Sequence, residues 1–278
     1  MTQAKITLDQ LESFSYKDYI SLYKSCGLSI VPLYPSTKIP VVSFERYCNR
    51  QPSDEEITKW LSTYFNPEFW KQVWEGKKRP ALREKWLNAL ELSFAKEGKK
   101  VDEYNYEGEI NIAVIGGVND LILIDIEDAT KIEELKGKSE KEIVEYFKSF
   151  GFVVVKTGKP NGYHLWALCK EWKWNKKGTN GEIRAKKQYV VAPPSKHPNG
   201  QQYKFLTDFE LKYISADVIL EKCLKWIGCE EKRKTTEKAK EEKREETPEI
   251  SEEELKKKEK QRLKEIWKEI KQQAKRLD

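Results

Sequence analysis

Near the middle of the chain four apolar residues run straight into acids: Leu121-Ile122-Leu123-Ile124-Asp125-Ile126-Glu127-Asp128. A short apolar run of this kind reads as a buried strand. Charge at the end of a buried strand is costly unless something neutralises it. Side chains alternate faces along a strand, so Asp125 and Glu127 point one way and Ile126 and Asp128 the other. Two carboxylates side by side call for a cation, and a hard divalent ion such as Mg²⁺ or Mn²⁺ takes one or two protein carboxylates plus water and phosphate oxygens. Two other readings stay open. The strand end can simply reach solvent, or an acid can grip a ribose hydroxyl in a dinucleotide fold, although the glycine fingerprint G-x-G-x-x-G is missing.

Two later stretches carry further candidates. In KTGKPNGYHLWAL (156–168) a turn with Gly158 and Gly162 leads into His164, one of only two histidines. Lys156, Thr157 and Lys159 precede it on a loop suited to a phosphate, and an imidazole can hydrogen-bond a phosphate oxygen; beside aromatics, the same histidine can be structural. In NGEIRAKKQYVVAPPSKHPNGQQY (180–203) Glu182 and Arg184 alternate onto one face. The pair can complete a metal pocket and hold a triphosphate, or it can be a plain ion pair. Pro193 and Pro194 end that strand and stiffen a loop presenting Ser195 and His197, which can equally be an ordinary turn.

The rest of the chain is read as a body over 1–229, a charged linker over 230–250 and a final helix over 251–278, opened by the capping pair Ser251 and Glu254. Within the body, Ser15/Asp18, Ser53/Glu56 and Ser139/Glu142 start helices, and a last helix is expected at about 215–226. Residues 66–105, with Trp70, Trp74 and Trp86 among many charges, read as a helical insertion. NIAVIGG (111–117) and DLILIDIE (120–127) flank a glycine turn and are expected to pair. Short β-like runs follow. No apolar run approaches the roughly 20 residues that cross a bilayer, and the N-terminus has acids where a signal peptide is apolar, so no membrane partner and a cytoplasmic location are expected. The five cysteines are scattered, which predicts free thiols. A net charge of +6 is compatible with a polyanionic partner.

Taken in order, the three pieces resemble the motifs of the primase–polymerase domain of the archaeo-eukaryotic primase superfamily, in the form carried by archaeal plasmid and viral replication proteins. IDIE (124–127) resembles the D-x-E metal motif, NGYHL (161–165) the histidine motif, and GEIRAKKQYVVAPPSKHPNG (181–200) the third motif with its YVVAPPS run. Upstream, GLSIVPLYPSTKIP (27–40), with Lys38 and Pro40, resembles the family's opening segment, and NIAVIGG the strand before the metal motif. The resemblance covers about Tyr19 to Phe205, interrupted by the tryptophan-rich insertion.

It implies an α+β fold, an RRM-like antiparallel sheet with an α/β N-terminal part, plus a charged helical tail. It further implies a DNA-dependent nucleotidyltransferase, a DNA primase and DNA polymerase that makes or extends primers by a two-metal mechanism in plasmid or viral DNA replication. Asp125, Glu127 and Glu182 would be the catalytic metal ligands for Mg²⁺ or Mn²⁺. His164, Arg184, Ser195 and His197 would face the nucleotide. Partners would be a single-stranded DNA template, NTPs or dNTPs, and a helicase or other replication protein reached through the tail. Three departures stand out. Position 182 is Glu where many relatives have Asp, position 162 is Gly where some branches have Ser, and Cys169 has no companions, so no zinc is predicted. The rival readings are a non-catalytic DNA-binding replication initiation factor of the same fold, and a phosphodiester-cleaving metalloenzyme.

Overall fold

A computed structural model describes residues 5–229. The linker (230–250) and the helix (251–278) expected from the sequence lie outside the described residues. Helices begin where a side chain can satisfy the first free backbone N–H groups. α1 (Leu8–Glu12) is capped reciprocally by Thr7 and Gln10, and α2 (Tyr16–Ser25) by Ser15 and Asp18. α3 (Asp54–Leu61) uses Ser53 and Glu56. α4 (Pro67–Trp74) starts at Asn66, with proline in its first turn, and α5 (Pro80–Ala95) follows. α6 (Glu140–Ser149) uses Ser139 and Glu142. Each capping pair sits three residues apart, the spacing that closes the box.

The strands are β1 (Ser29–Leu33), β2 (Asn111–Gly116), β3 (Leu121–Ile126), β4 (Val153–Lys156), β5 (Tyr163–Leu168), β6 (Lys176–Lys177), β7 (Gly181–Arg184), β8 (Gln188–Ala192) and β9 (Lys204–Phe205). They form two antiparallel sheets, one ordered β1-β2-β8 and one ordered β6-β7-β3-β5-β4-β9. The architecture is therefore α+β.

One expectation is corrected. β2 and β3, adjacent in sequence, do not pair with each other. β2 has both edges taken by β1 and β8, and β3 has both taken by β5 and β7. The chain steps from one sheet to the other through Gly117, Asn119 and Asp120, all with positive φ. That backbone region favours Gly and tolerates Asn and Asp.

Alternation along β3 sorts its side chains into two cores. Leu121 and Leu123 face the smaller sheet, packing with Trp166, Val155 and the residues of β1, β2 and β8. Ile122, Ile124 and Ile126 face the other way, under α6 and a C-terminal helical run made of α7 (Ala216–Val218), a π turn (Ile219–Cys223) and α8 (Leu224–Trp226). Residues 66–105 supply α4 and α5, which close a third apolar cluster on Tyr34. Trp70 and Trp86 meet edge to face there, ring centroids 4.9 Å apart. The Trp86 indole N–H donates to Pro35 O at 3.1 Å, tying this segment to the end of β1. Among the described residues no two cysteines form a disulfide, and no helix is long and apolar enough to cross a membrane.

Candidate active site

Strand register assembles the site. Asp125 on β3 stands opposite His164 on β5 and opposite Glu182 on β7. All three share the face of Leu121 and Leu123, toward the smaller sheet. A row Glu182–Asp125–His164 thus crosses three neighbouring strands. Glu127 lies one residue beyond β3, its backbone N–H held by Asn180 O at 3.0 Å. The third acid of the run serves the backbone instead. Asp128 caps the short turn Ala129–Lys131, accepting from the Thr130 N–H at 3.0 Å and the Thr130 hydroxyl at 2.7 Å.

The three candidate metal carboxylates each meet a side-chain cation. Arg184 Nη2 lies 3.0 Å from Asp125 and 3.5 Å from Glu182. Lys177 Nζ is 3.3 Å from Glu182, and Lys159 pairs with Glu127. Arg184 is held by a bond from Nη1 to Tyr189 O at 2.6 Å, while its buried Nε has no partner. Among the described residues, no three His, Cys, Asp or Glu side chains stand as a ready coordination cluster. Register places Asp125 beside Glu182, whereas the Glu127 carboxylate is turned to Lys159. The donor chemistry nevertheless suits Mg²⁺ or Mn²⁺: hard oxygens from one or two carboxylates suffice when water and phosphates complete the shell, and the cations now beside them mark where positive charge is wanted.

His164 is buried, with Nε2 3.6 Å from Asp125 and Nδ1 unpartnered. Burial lowers its pKa to about 4; the Asp125 charge opposes this, while Arg184 and Lys38 reinforce it. The imidazole is therefore neutral at pH 7 and can donate one N–H or accept one. Tyr203 stacks on it at 5.6 Å and also meets His197, at 5.8 Å. Burial chiefly raises the Tyr203 pKa, keeping the phenol neutral.

His197 is also buried, and burial, then Lys38, lowers its pKa to about 4. Its Nδ1 accepts from the Asn199 N–H at 3.2 Å, and its Nε2 lies 3.7 Å from Glu97, too far for a hydrogen bond. Asn199 in turn donates from its side chain to Gly158 O at 2.6 Å, and its backbone carbonyl accepts from Lys99 at 2.7 Å. The His197 turn, the loop before His164 and the end of the insertion are thereby tied together.

Ser195 departs from its expected place on the nucleotide side. It is fully buried, and its hydroxyl accepts from the Ile112 N–H at 2.8 Å and donates to Ile112 O at 3.2 Å. Its donor and one acceptor lone pair serve β2, so Ser195 ties the loop to β2 and is covered from solvent. Glycine at 162 also has a steric reason: a Cβ there would stand 2.3 Å from the Thr157 hydroxyl and 2.9 Å from Lys159 Cβ.

Sequence reasoning assigned no role to Lys38 or Tyr203. Lys38 keeps an exposed side chain but feels the charges of the row; crowding by the protein lowers its pKa first, then Lys159 and Arg184, with Asp125 and Glu97 opposing. The Tyr189 hydroxyl fixes its backbone by donating to Lys38 O at 2.9 Å. The STKIP segment hinted at Lys38. Nothing local pointed to Tyr203, which reaches the site only because the chain returns after the His197 turn.

A family model described as bifunctional DNA primase/polymerase, N-terminal, matches residues 20–216. That is more than half of the chain, and the chain belongs to this family. No curated protein matches it.

Proposed function

From that membership we propose that the protein is a DNA-dependent nucleotidyltransferase, a primase, polymerase or both, copying single-stranded DNA from NTPs or dNTPs in plasmid or viral replication. The observation that carries the reading is the row Glu182–Asp125–His164, set side by side by β7, β3 and β5, with Glu127 following. In this reading Asp125, Glu127 and Glu182 hold Mg²⁺ or Mn²⁺. When bound, such ions supply a 3′-hydroxyl of lowered pKa and charge neutralisation at the leaving pyrophosphate.

The chain's own residues position and neutralise. Arg184, released from the two carboxylates it now bridges, offers a planar fork to phosphate oxygens. His164, neutral and backed by Tyr203, hydrogen-bonds the triphosphate without adding a formal charge. Lys38 and Lys159 complete a cationic rim for a tetra-anionic substrate. His197 packs against Tyr203. The triphosphate is thus held by preorganised groups, which is the main work a protein does in phosphoryl transfer. The tail beyond 229 is assigned to a helicase or other replication partner.

A second reading, a non-catalytic DNA-binding initiation factor, draws on one observation: each carboxylate already has a side-chain counter-ion. Primer-extension and unprimed synthesis with Mg²⁺ or Mn²⁺ separate the two. Metal-dependent product from wild type, with Asp125→Asn and Glu127→Ala folded but reduced by at least ~100-fold, is expected for an essential metal ligand in an electrostatically catalysed transfer. Near-wild-type synthesis by Asp125→Asn would remove the metal assignment. DNA binding without synthesis under any condition would favour the initiation factor.

A further inference from the structure

Beside β7 the surface changes character. Between positions 170 and 187 stand six lysines and one arginine against two glutamates. Within this basic stretch Trp174 leaves 60% of its surface exposed, and Tyr213 nearby leaves 57%. Single exposed apolar residues are ordinary, but exposed aromatics that share one charged surface mark a contact site.

Both rings are fixed outward. Trp172, buried beneath, packs edge-on to Trp174 with centroids 5.6 Å apart and donates its indole N–H to Trp174 O at 2.7 Å. The Asn175 side chain accepts from the backbone N–H groups of Ala185 and Lys186, at 2.8 and 2.9 Å, and donates to Lys186 O at 2.7 Å. These bonds clamp the Trp174 loop to the turn after β7, where Lys186 and Lys187 stand. Tyr213 is joined to the same surface through Asp120, which accepts from Lys173 at 2.5 Å and from the Tyr213 hydroxyl at 3.3 Å. Lys170 lies over the Tyr213 ring at 5.1 Å. The result is two outward aromatic faces interleaved with lysines.

We infer that the Trp174–Tyr213 surface is a stacking platform for single-stranded DNA, with bases on the rings and phosphates on the surrounding lysines. The charge of the patch selects a polyanion. The exposed rings select unpaired bases, because stacking on a side chain needs a free π-face that a duplex keeps covered. The platform also begins one hairpin from the reacting row: β6 pairs with β7, and Lys177 stands opposite Glu182. The inference rests on the proposed function only for the choice of DNA.

The test is fluorescence anisotropy with a labelled oligo-dT in chelator, without nucleotides, so that catalysis plays no part. Trp174→Ala is expected to weaken binding by about 5- to 150-fold, the loss of one base–aromatic stack. Trp174→Phe, which keeps an aromatic face, should recover most of it. Leu92→Ala, an equally exposed apolar residue on α5, should bind as wild type. Duplex DNA should be bound more weakly and be insensitive to Trp174→Ala. Unchanged oligo-dT binding by a folded Trp174→Ala, equal losses on duplex and single strand, or a clear preference for single-stranded RNA would each overturn the inference. Should the stacking effect appear in a protein that makes no product, the platform stands and the catalytic reading falls.

Discussion

His197 lets the packing around the site be measured by titration. Its side chain is 1% exposed, and its folded pKa lies near 4 against about 6.5 in an unfolded chain. Between those values the unfolded chain takes up a proton that the folded protein refuses. Stability therefore rises with pH across the window: His197's contribution is complete above about 6.5 and is lost as pH falls toward 4. At pH 5 the linkage relation gives a loss of about 2 kcal/mol relative to pH 7.5.

The perturbation is His197→Asn, whose side-chain oxygen can replace Nδ1 as acceptor for the Asn199 N–H but cannot titrate. Urea unfolding of both proteins at pH 7.5 and pH 5, in chelator, isolates the effect as a difference of differences. The carboxylates contribute to both proteins and cancel, while His164, whose charge opposes that of His197, adds a smaller coupled contribution. The wild type should lose about 2 kcal/mol more than the variant on acidification. Equal losses would refute the reasoning, showing that His197 is reached by water or paired with Glu97 when protonated.

Other outcomes follow from the same geometry. Gly158→Ala places a Cβ 2.2 Å from His197 Cγ, so the turn must move; a thermal melt should register a cost of about 1–3 kcal/mol. Ser195→Ala leaves the buried Ile112 N–H without its acceptor and should cost about 1–3 kcal/mol in chemical denaturation. Synthesis per folded molecule should be preserved in Ser195→Ala, and its loss would return Ser195 to the nucleotide side.

What the sequence made legible is local or periodic. Ser15, Ser53 and Ser139 announced helices because a capping box needs only residues three apart. The two-residue period of β3 placed Asp125 on one face, and the same period in β7 put Glu182 and Arg184 together. The simple reading of that last pair, an ion contact, is also present, at 3.5 Å. Sheet membership was not legible. NIAVIGG and DLILIDIE have the spacing of a hairpin, yet hydrogen-bonding partners for their edges come from strands tens of residues away. The same holds for Tyr203 and for the clamp from Asn175 to the turn after β7, which bring together residues with no mutual signature in the text. The burial of Ser195 was likewise hidden, because a serine after two prolines looks the same whether its loop faces solvent or core.

The register of β3 also has an evolutionary side. Asp125 meets His164 and Glu182 because three strands agree in phase, and a strand carries only two phases. Deleting or inserting a single residue between Leu121 and Asp125 would rotate the acid out of the reacting row and drive the leucines of one core into the place of the isoleucines of the other. Length variation among relatives should therefore be excluded from β3, β5 and β7 and collect where the chain turns outside them. An alignment of relatives should therefore run through these strands without gaps.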